Sequence, residues 1–510
     1  MRKGRMTSLI PAGYKAITEK LELNTLHHYR ESFIAQQGRG KTIIDNHHEI
    51  HIYPKSYSLK SADDLLENLE FALKYDGINL EIIKAFFERT EKRNIVTYIQ
   101  KQPTGIYSRK IWYLYEFLMS EQLPLKDCQR IKYINLLDSK IYFTSSPIKS
   151  SRHAINDNLL GNNKFCPLVR RTEILEKYIE SNLDNKAKNI LEKYDPHLIA
   201  RACNYLYAKE TMSSYQIEKE QPDKSRIFRF VNLLQQASTI ESLTKDKLIE
   251  LQNVIVDPRY KDIDYRHTQN YVGENINPYF QKLHYISPKP EDVAELMEGL
   301  LDSLDRMFFS DVHPVIIATV ISFGFVFIHP FEDGNGRIHR FLIHYILSKK
   351  YFTPKGMIFP VSSIMLKNMN DYDSILESFS KPLLSVLTKY NLAEDGIMTV
   401  TQESKTYYQY IDFTMMVEYL FSCIKDTINN TIEHEIKFLI AYDEAKKSIQ
   451  EIVDMPDNKI DLFIKFVIQN KGNLSHQKRD KFFQLLTDAE IVRLTTVVKD
   501  IMMADTAKIP

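Results

Sequence analysis

Residues 315–328, VIIATVISFGFVFI, run for fourteen positions without a charged side chain. A helix that is apolar all round cannot lie on a surface, so the chain has to wrap apolar partners around it. Fourteen residues fall short of the ~20 that a membrane-spanning helix needs, and the run therefore reads as a buried core helix. Other segments can supply its partners. SADDLLENLEFALKY, IWYLYEFLMSEQL, EDVAELMEGLLDSLDRMF and KIDLFIKFVIQN all carry helical period, and glycine is scarce at 15 of 510 residues. The expectation is a mainly α fold.

At roughly 150 residues per domain, 510 residues suggest about three. The first region, 1–194, reads as mostly helical. It contains one strand-like piece, HEIHIYP, and a polar stretch, TSSPIKSSRHAINDNLLGNNKF, and it ends in the charged helix RRTEILEKYIESNLDNKAKNILEKY. The second, 195–395, holds helices and a hairpin around YRHTQNYVGENINPYFQKLHYISP, with Gly273 and Pro278 near its turn. The third, 396–510, is charged and helical, and Thr487-x-x-Glu490 is a capping box opening one of its last helices.

The 67 basic and 66 acidic residues nearly cancel, so no overall field draws nucleic acid or an anionic membrane, and a polyanion needs a local site. Cys128, Cys166, Cys203 and Cys423 are far apart, which points to a reducing compartment without a disulfide framework or zinc knuckle. The basic start lacks a signal peptide's apolar stretch, so the cytoplasm is expected and the first ten residues read as a frayed end. His47, His48 and His51 lack the carboxylates or cysteines that would complete a metal site, and read as polar surface.

The chemistry concentrates directly after the apolar run, in IHPFEDGNGRIHRF, residues 328–341. Asp-Gly and Asn-Gly are turn signals, so a tight loop joins two helices. In the second helix Ile338, Phe341, Leu342 and Tyr345 form one buried stripe. Its N-terminus exposes backbone N–H groups and the positive end of a dipole, where Arg337 and Arg340 are electrostatically misplaced unless an anion joins them. Gly334 and Gly336 let backbone approach such a ligand, and the arginines, three apart, reach successive phosphates. Asp333 offers one hard oxygen donor, suited to Mg²⁺ bound together with phosphates. His329 is the natural general base, and Phe331 turns inward to pin the loop. Together these describe phosphoryl or nucleotidyl transfer. A Walker A loop is absent from this stretch, and a calcium loop fails because Arg337 and Ile338 stand where an oxygen ligand and the turn glycine belong.

The stretch resembles the signature of the Fic-domain family, H-x-F-x-[DE]-G-N-G-R-x-x-R, met by His329, Phe331, Asp333, Gly334, Asn335, Gly336, Arg337 and Arg340. The resemblance implies a helical Fic-like core with a small β-hairpin flap, flanked by mostly helical N- and C-terminal regions. It also implies an AMP transferase in which His329 deprotonates a hydroxyl that attacks the α-phosphate of ATP. Asp333 would hold Mg²⁺, Asn335 with the Gly334 and Gly336 backbone would cradle the α- and β-phosphates, Arg337 would assist, and Arg340 would take the γ-phosphate. The segment with Tyr271, Val272 and Gly273 is similar to the family's flap, which pairs with a target's backbone. SSYQIEKE, residues 213–220, is similar to the family's inhibitory motif [ST]-x-x-x-E-[GN], with Ser214 and Glu218 in place and Lys219 as a departure. In relatives that glutamate pairs with the second arginine, here Arg340, and displaces the γ-phosphate, which implies self-inhibition within one chain.

The implied partner is a protein bearing a Ser, Thr or Tyr hydroxyl, and the protein is expected to be cytoplasmic and bacterial. Auto-AMPylation and homo-oligomerisation are open; membrane and nucleic acid are not expected partners. Two other functions compete. One is removal of AMP, with Glu218 orienting a water. The other is a nucleotide-binding adaptor without turnover, and GNLSHQKRDKFFQLLTDAEI has a helix–turn–helix rhythm but few basic residues beyond Lys478, Arg479 and Lys481.

Overall fold

A computed structural model describes residues 9–45, 47–61, 64–277 and 280–503. Helices dominate it, as the periodicity predicts. The N-terminal region adds a sheet of which the sequence suggested one strand: β1 (Leu9–Ala12), β2 (Arg30–Ala35), β3 (Lys41–Asp45) and β4 (His48–Tyr53), in spatial order β1-β2-β4-β3. Leu9 and Ile10, expected to fray, pair with Ala35 and Ile34; residues 1–8 lie outside the described part. Beside the sheet, helices Leu80–Arg89 and Ile106–Met119 bury Phe86, Phe87, Trp112 and Leu114 in a core of their own.

The central unit is built on α1 (Pro196–Ile217), α2 (Lys245–Ile255), the hairpin β5 (Tyr271–Asn277) and β6 (Phe280–Ile286), α3 (Pro290–Phe308), α4 (Pro314–Ile328) and α5 (Asn335–Lys349). It is completed by α6 (Met369–Val386) and α7 (Thr414–Asp426). The apolar run is α4. Pro314 takes its first position, where the missing N–H is no loss, and His313 Nδ1 accepts from Val315 N at 3.2 Å. With Ile317, Val320, Phe323 and Phe325 wholly buried, α4 packs against α3, α5 and α7 in one core. That core draws on Phe165 and Val169 before residue 195 and on Phe413, Val417 and Leu420 after 395. Gly273 lies at an irregularity in the hairpin, next to Val272, rather than at its turn, and Pro278 falls outside the described residues.

The remaining helices include α8 (Ile432–Ile452) and α9 (Asp488–Met503). The capping box forms at the start of α9: Thr487 N donates to Glu490 Oε2 at 2.7 Å, and Glu490 N donates to Thr487 Oγ1 at 3.3 Å. Lys478 and Lys481 lie over the rings of Phe466 and Phe482, and Arg479 pairs with Asp488. Among the described residues no helix is long and apolar enough to cross a membrane.

Helix α1 is tethered along its length. Arg201 forks onto Asp443 of α8 at 2.6 and 2.9 Å, and Lys209 meets Glu435 of α8 at 2.7 Å. Buried Glu210 accepts from Ser362 N at 2.9 Å and lies 2.7 Å from His344 Nε2 on α5.

Phe323 supports α5 directly, its ring meeting the His339 imidazole edge-on at 4.7 Å. Phe323→Ala is expected to cost about 3–5 kcal/mol, read as a lower urea midpoint of the central unit.

Candidate active site

The loop between α4 and α5 is held by its own residues. Asn335 closes a ring on the Phe331 backbone, its Oδ1 accepting from Phe331 N at 3.0 Å and its Nδ2 donating to Phe331 O at 2.7 Å. Its side chain thus shapes the loop, leaving its backbone N–H among those at the head of α5. Gly334 has φ +88, a left-handed conformation, and a Cβ there would stand 2.9 Å from Cγ1 of Val256, the residue after α2. From α2, buried Gln252 donates to Tyr260 O at 2.9 Å and to Asp262 Oδ2 at 3.0 Å, and Asp262 in turn accepts from Glu332 N at 3.3 Å. Phe331 is wholly buried, as the sequence suggested.

Arg337 and Arg340 are both buried, and the anion their position demands is supplied by the chain itself. Glu218 Oε2 lies 2.8 Å from Arg337 Nε, while Glu218 Oε1 accepts from Arg340 Nη2 at 2.6 Å. Arg340 also donates from Nε to Ser214 Oγ at 2.7 Å and from Nη2 to Ser214 O at 2.8 Å. The carboxylate sits over Gly336, where a Cβ would come within 2.3 Å of Glu218 Oε1. Two more carboxylates reach Arg337: Glu220 Oε1 at 2.9 Å and Asp333 Oδ1 at 2.8 Å. Burial works against the Arg337 charge, but Glu218, Asp333 and Glu220 together hold its pKa above the usual guanidinium value.

Glu218 reaches this position because α1 ends there in a Schellman motif. Glu220 N donates to Tyr215 O and Lys219 N to Gln216 O, both at 3.0 Å, with Lys219 at φ 58. This left-handed position explains the glycine or asparagine of the motif that SSYQIEKE resembles. A lysine there carries a strain of roughly 1–2 kcal/mol.

His329 follows α4, also left-handed at φ 53. Its Nδ1 lies 3.1 Å from Val326 O. A carbonyl only accepts, so Nδ1 carries the proton and Nε2 keeps its lone pair. Burial, with the Arg266 charge alongside, pushes its pKa down to about 4, against the Val326 carbonyl and Asp333, which raise it. The imidazole is therefore neutral at pH 7 and able to accept a proton.

The structure thus gathers His329, Asp333, Gly334, Asn335, Gly336, Arg337 and Arg340 with Ser214 and Glu218. Tyr271, Val272 and Gly273 lie on β5, and Tyr271 Oη is 3.3 Å from each of two acceptors, Gln281 Oε1 and Gly396 O. Of the loop's two carboxylates, Glu332 accepts from Thr268 Oγ1 and Asp333 faces Arg337, and among the described residues no cluster of His, Cys, Asp or Glu could hold a metal alone. Asp333 Oδ1 is taken by Arg337 and Gly334 N, while its Oδ2 has no hydrogen bond among the described residues. One free, part-exposed oxygen suits Mg²⁺ that takes its other ligands from phosphates and water. Glu220, Gln252 and Arg266 touch the site through Arg337, Asp333 O and His329 O, and the sequence did not single them out. Glu220 could have been found two residues past Glu218; the other two have no local signal.

Two outcomes are expected. Lys219→Gly removes the strained side chain, so amide exchange at 214–220 slows, whereas β-branched Lys219→Val speeds it. In ¹³C-histidine NMR, the resonance lost in His329→Ala titrates near pH 4 instead of the ordinary 6.5.

Residues 242–347, from the approach to α2 through most of α5, match the family model described as the Fic/DOC family. The chain is 33% identical over 123 residues to the Protein adenylyltransferase Fic of Drosophila willistoni, covering 23% of this chain and 22% of that protein. It is 32% identical over 116 residues to the protein of the same name from Nematostella vectensis, covering 22% and 25%. The chain thus spans about a quarter of the length of these curated relatives or less. A Fic domain containing signaling protein from Bacteroides thetaiotaomicron superposes at a TM-score of 0.37 with 20% identity, over 51% of this chain and 97% of that one, too weak a likeness to bear on the fold. With the motif intact and its residues gathered at the head of α5, residues 242–347 are a Fic/DOC-family domain.

Proposed function

We propose that the protein transfers AMP from ATP to a Ser, Thr or Tyr hydroxyl of a protein target, and that Glu218 restrains the reaction. One observation carries this reading: a neutral, tautomerically fixed His329 opens the loop that leads to two buried arginines, whose anion socket is filled by a glutamate from another helix. A nucleotide-binding adaptor has no use for a base held in a costly left-handed conformation.

The step is an in-line displacement. His329 Nε2 takes the proton of the target hydroxyl, whose oxygen forms a bond to the α-phosphorus of ATP. The bond from that phosphorus to the oxygen bridging the β-phosphate breaks, and pyrophosphate leaves with the bonding pair. Asp333 would hold Mg²⁺, which neutralises phosphate charge when bound. Once Glu218 withdraws, Arg337 and Arg340 face the triphosphate, and the backbone N–H groups at the head of α5 receive its oxygens. A bound triphosphate adds negative charge near His329 and so raises its basicity when a proton must be accepted. Cytoplasmic residence fits the four cysteines, all free thiols.

The test uses ATP labelled on the α-phosphate, with Mg²⁺ and a lysate. Glu218→Gly is expected to raise transfer to protein by at least about tenfold, a change of ~1.4 kcal/mol. Adding His329→Ala to that variant abolishes it. Transfer that is unaffected by His329→Ala would defeat the assignment of the base. If Glu218 served instead to orient water for AMP removal, Glu218→Gly would lose that activity.

A further inference from the structure

Arg266, in the loop between α2 and β5, is 3% exposed. Its side chain donates only to backbone carbonyls: Nε to His329 O at 2.8 Å, Nη1 to Thr268 O at 2.7 Å, and Nη2 to Pro288 O at 2.6 Å. Its backbone N–H donates to Pro330 O at 2.8 Å. Among the described residues no carboxylate forms an ion pair with it, although a buried cation without a counter-ion is costly. Burial lowers its pKa to about 10, which still leaves it charged at pH 7. If this position needed only to be filled, an apolar side chain would fill it without that cost.

The four carbonyls belong to three places that have to keep one spacing. His329 and Pro330 form the lip that carries the base; Thr268 leads into β5; Pro288 leaves β6. Tyr285 of β6 adds a second tie, donating its hydroxyl to Phe327 O at the end of α4. The planar guanidinium fork fixes directions as well as distances, which an ammonium on a flexible stem does not.

We propose that Arg266 is a positioning residue for the transfer reaction, a rigid bracket that sets the base at a fixed distance from the hairpin along which a target segment lies. This rests on the AMP-transfer reading. The bracket acts on the chemical step and on target binding, and leaves the phosphate socket, which is built on α1 and α5, unchanged.

In a Glu218→Gly background, Arg266→Met and Arg266→Lys are compared with the parent. Both are expected to lower kcat by at least about thirtyfold, within the range for residues that orient a catalytic group, and to raise KM for the target. KM for ATP and calorimetric ATP affinity stay within about twofold. Hydrogen exchange in both variants is expected to quicken at 268–288 and 326–331 but not along 315–325. A kcat within threefold of the parent in either folded variant overturns the inference, as does a parallel loss of ATP affinity and slow-exchanging core. If the Glu218→Gly parent transfers no label, the AMP-transfer reading itself fails. Hydrogen exchange then decides the bracket, and unchanged exchange at both segments overturns it.

Discussion

Two guanidinium groups are buried three residues apart at the positive end of a helix, and the rest of the site answers to that constraint. Like charges brought together out of water and added to a helix dipole cost several kcal/mol unless anions meet them. The chain meets the demand from the opposite direction. The C-terminal end of α1, the negative end of its dipole, points at the N-terminal end of α5, so Ser214 O and the Glu218 carboxylate face Arg340 and Arg337 together. Glu220 and Asp333 add to the counter-charge around Arg337. The result is one anion socket, filled here by a side chain of the same protein. The closed arrangement is stable because an empty socket would not be.

Backbone conformation places each group that has to face the socket. Three residues around it are left-handed: Lys219 after α1, His329 after α4 and Gly334 before α5. Each turns the chain sharply where a helix begins or ends, so the side chains of neighbouring residues point back into one small volume. Only Gly334 does so without steric cost. At Lys219 and His329 the surrounding packing and hydrogen bonds hold a conformation the residue would not choose, as expected where strain accompanies function.

The parts readable from sequence are those whose signal is local. The α4 run, the stripe on α5, the tight loop and the spacing from Ser214 to Glu218 all concern residues within a few turns of one another, and the structure has them as expected. The capping box at Thr487 and Glu490 is of the same kind. The N-terminal sheet was harder: β3, KTIID, is exposed along its whole length and shows no alternation, and β2 pairs in parallel with β4 across a long connection. Arg266 was hidden for a different reason. Its meaning lies in carbonyls from three separated segments, and a carbonyl leaves no mark on a sequence.

The tethering of α1 limits how the socket can be vacated. Arg201, Lys209 and Glu210 bind the body of the helix to α8, to α5 and to Ser362, while Ser214 and Glu218 occupy its last turn. A rod fixed along its shaft cannot slide or swing out as a unit without breaking all of those contacts at once. Its tip can still unwind separately, at the cost of one turn of hydrogen bonds, the two Glu218 ion pairs and the burial of Tyr215. Emptying the socket therefore means local unfolding of the last turn of a helix whose body stays tied, and that turn is held by the charges it neutralises.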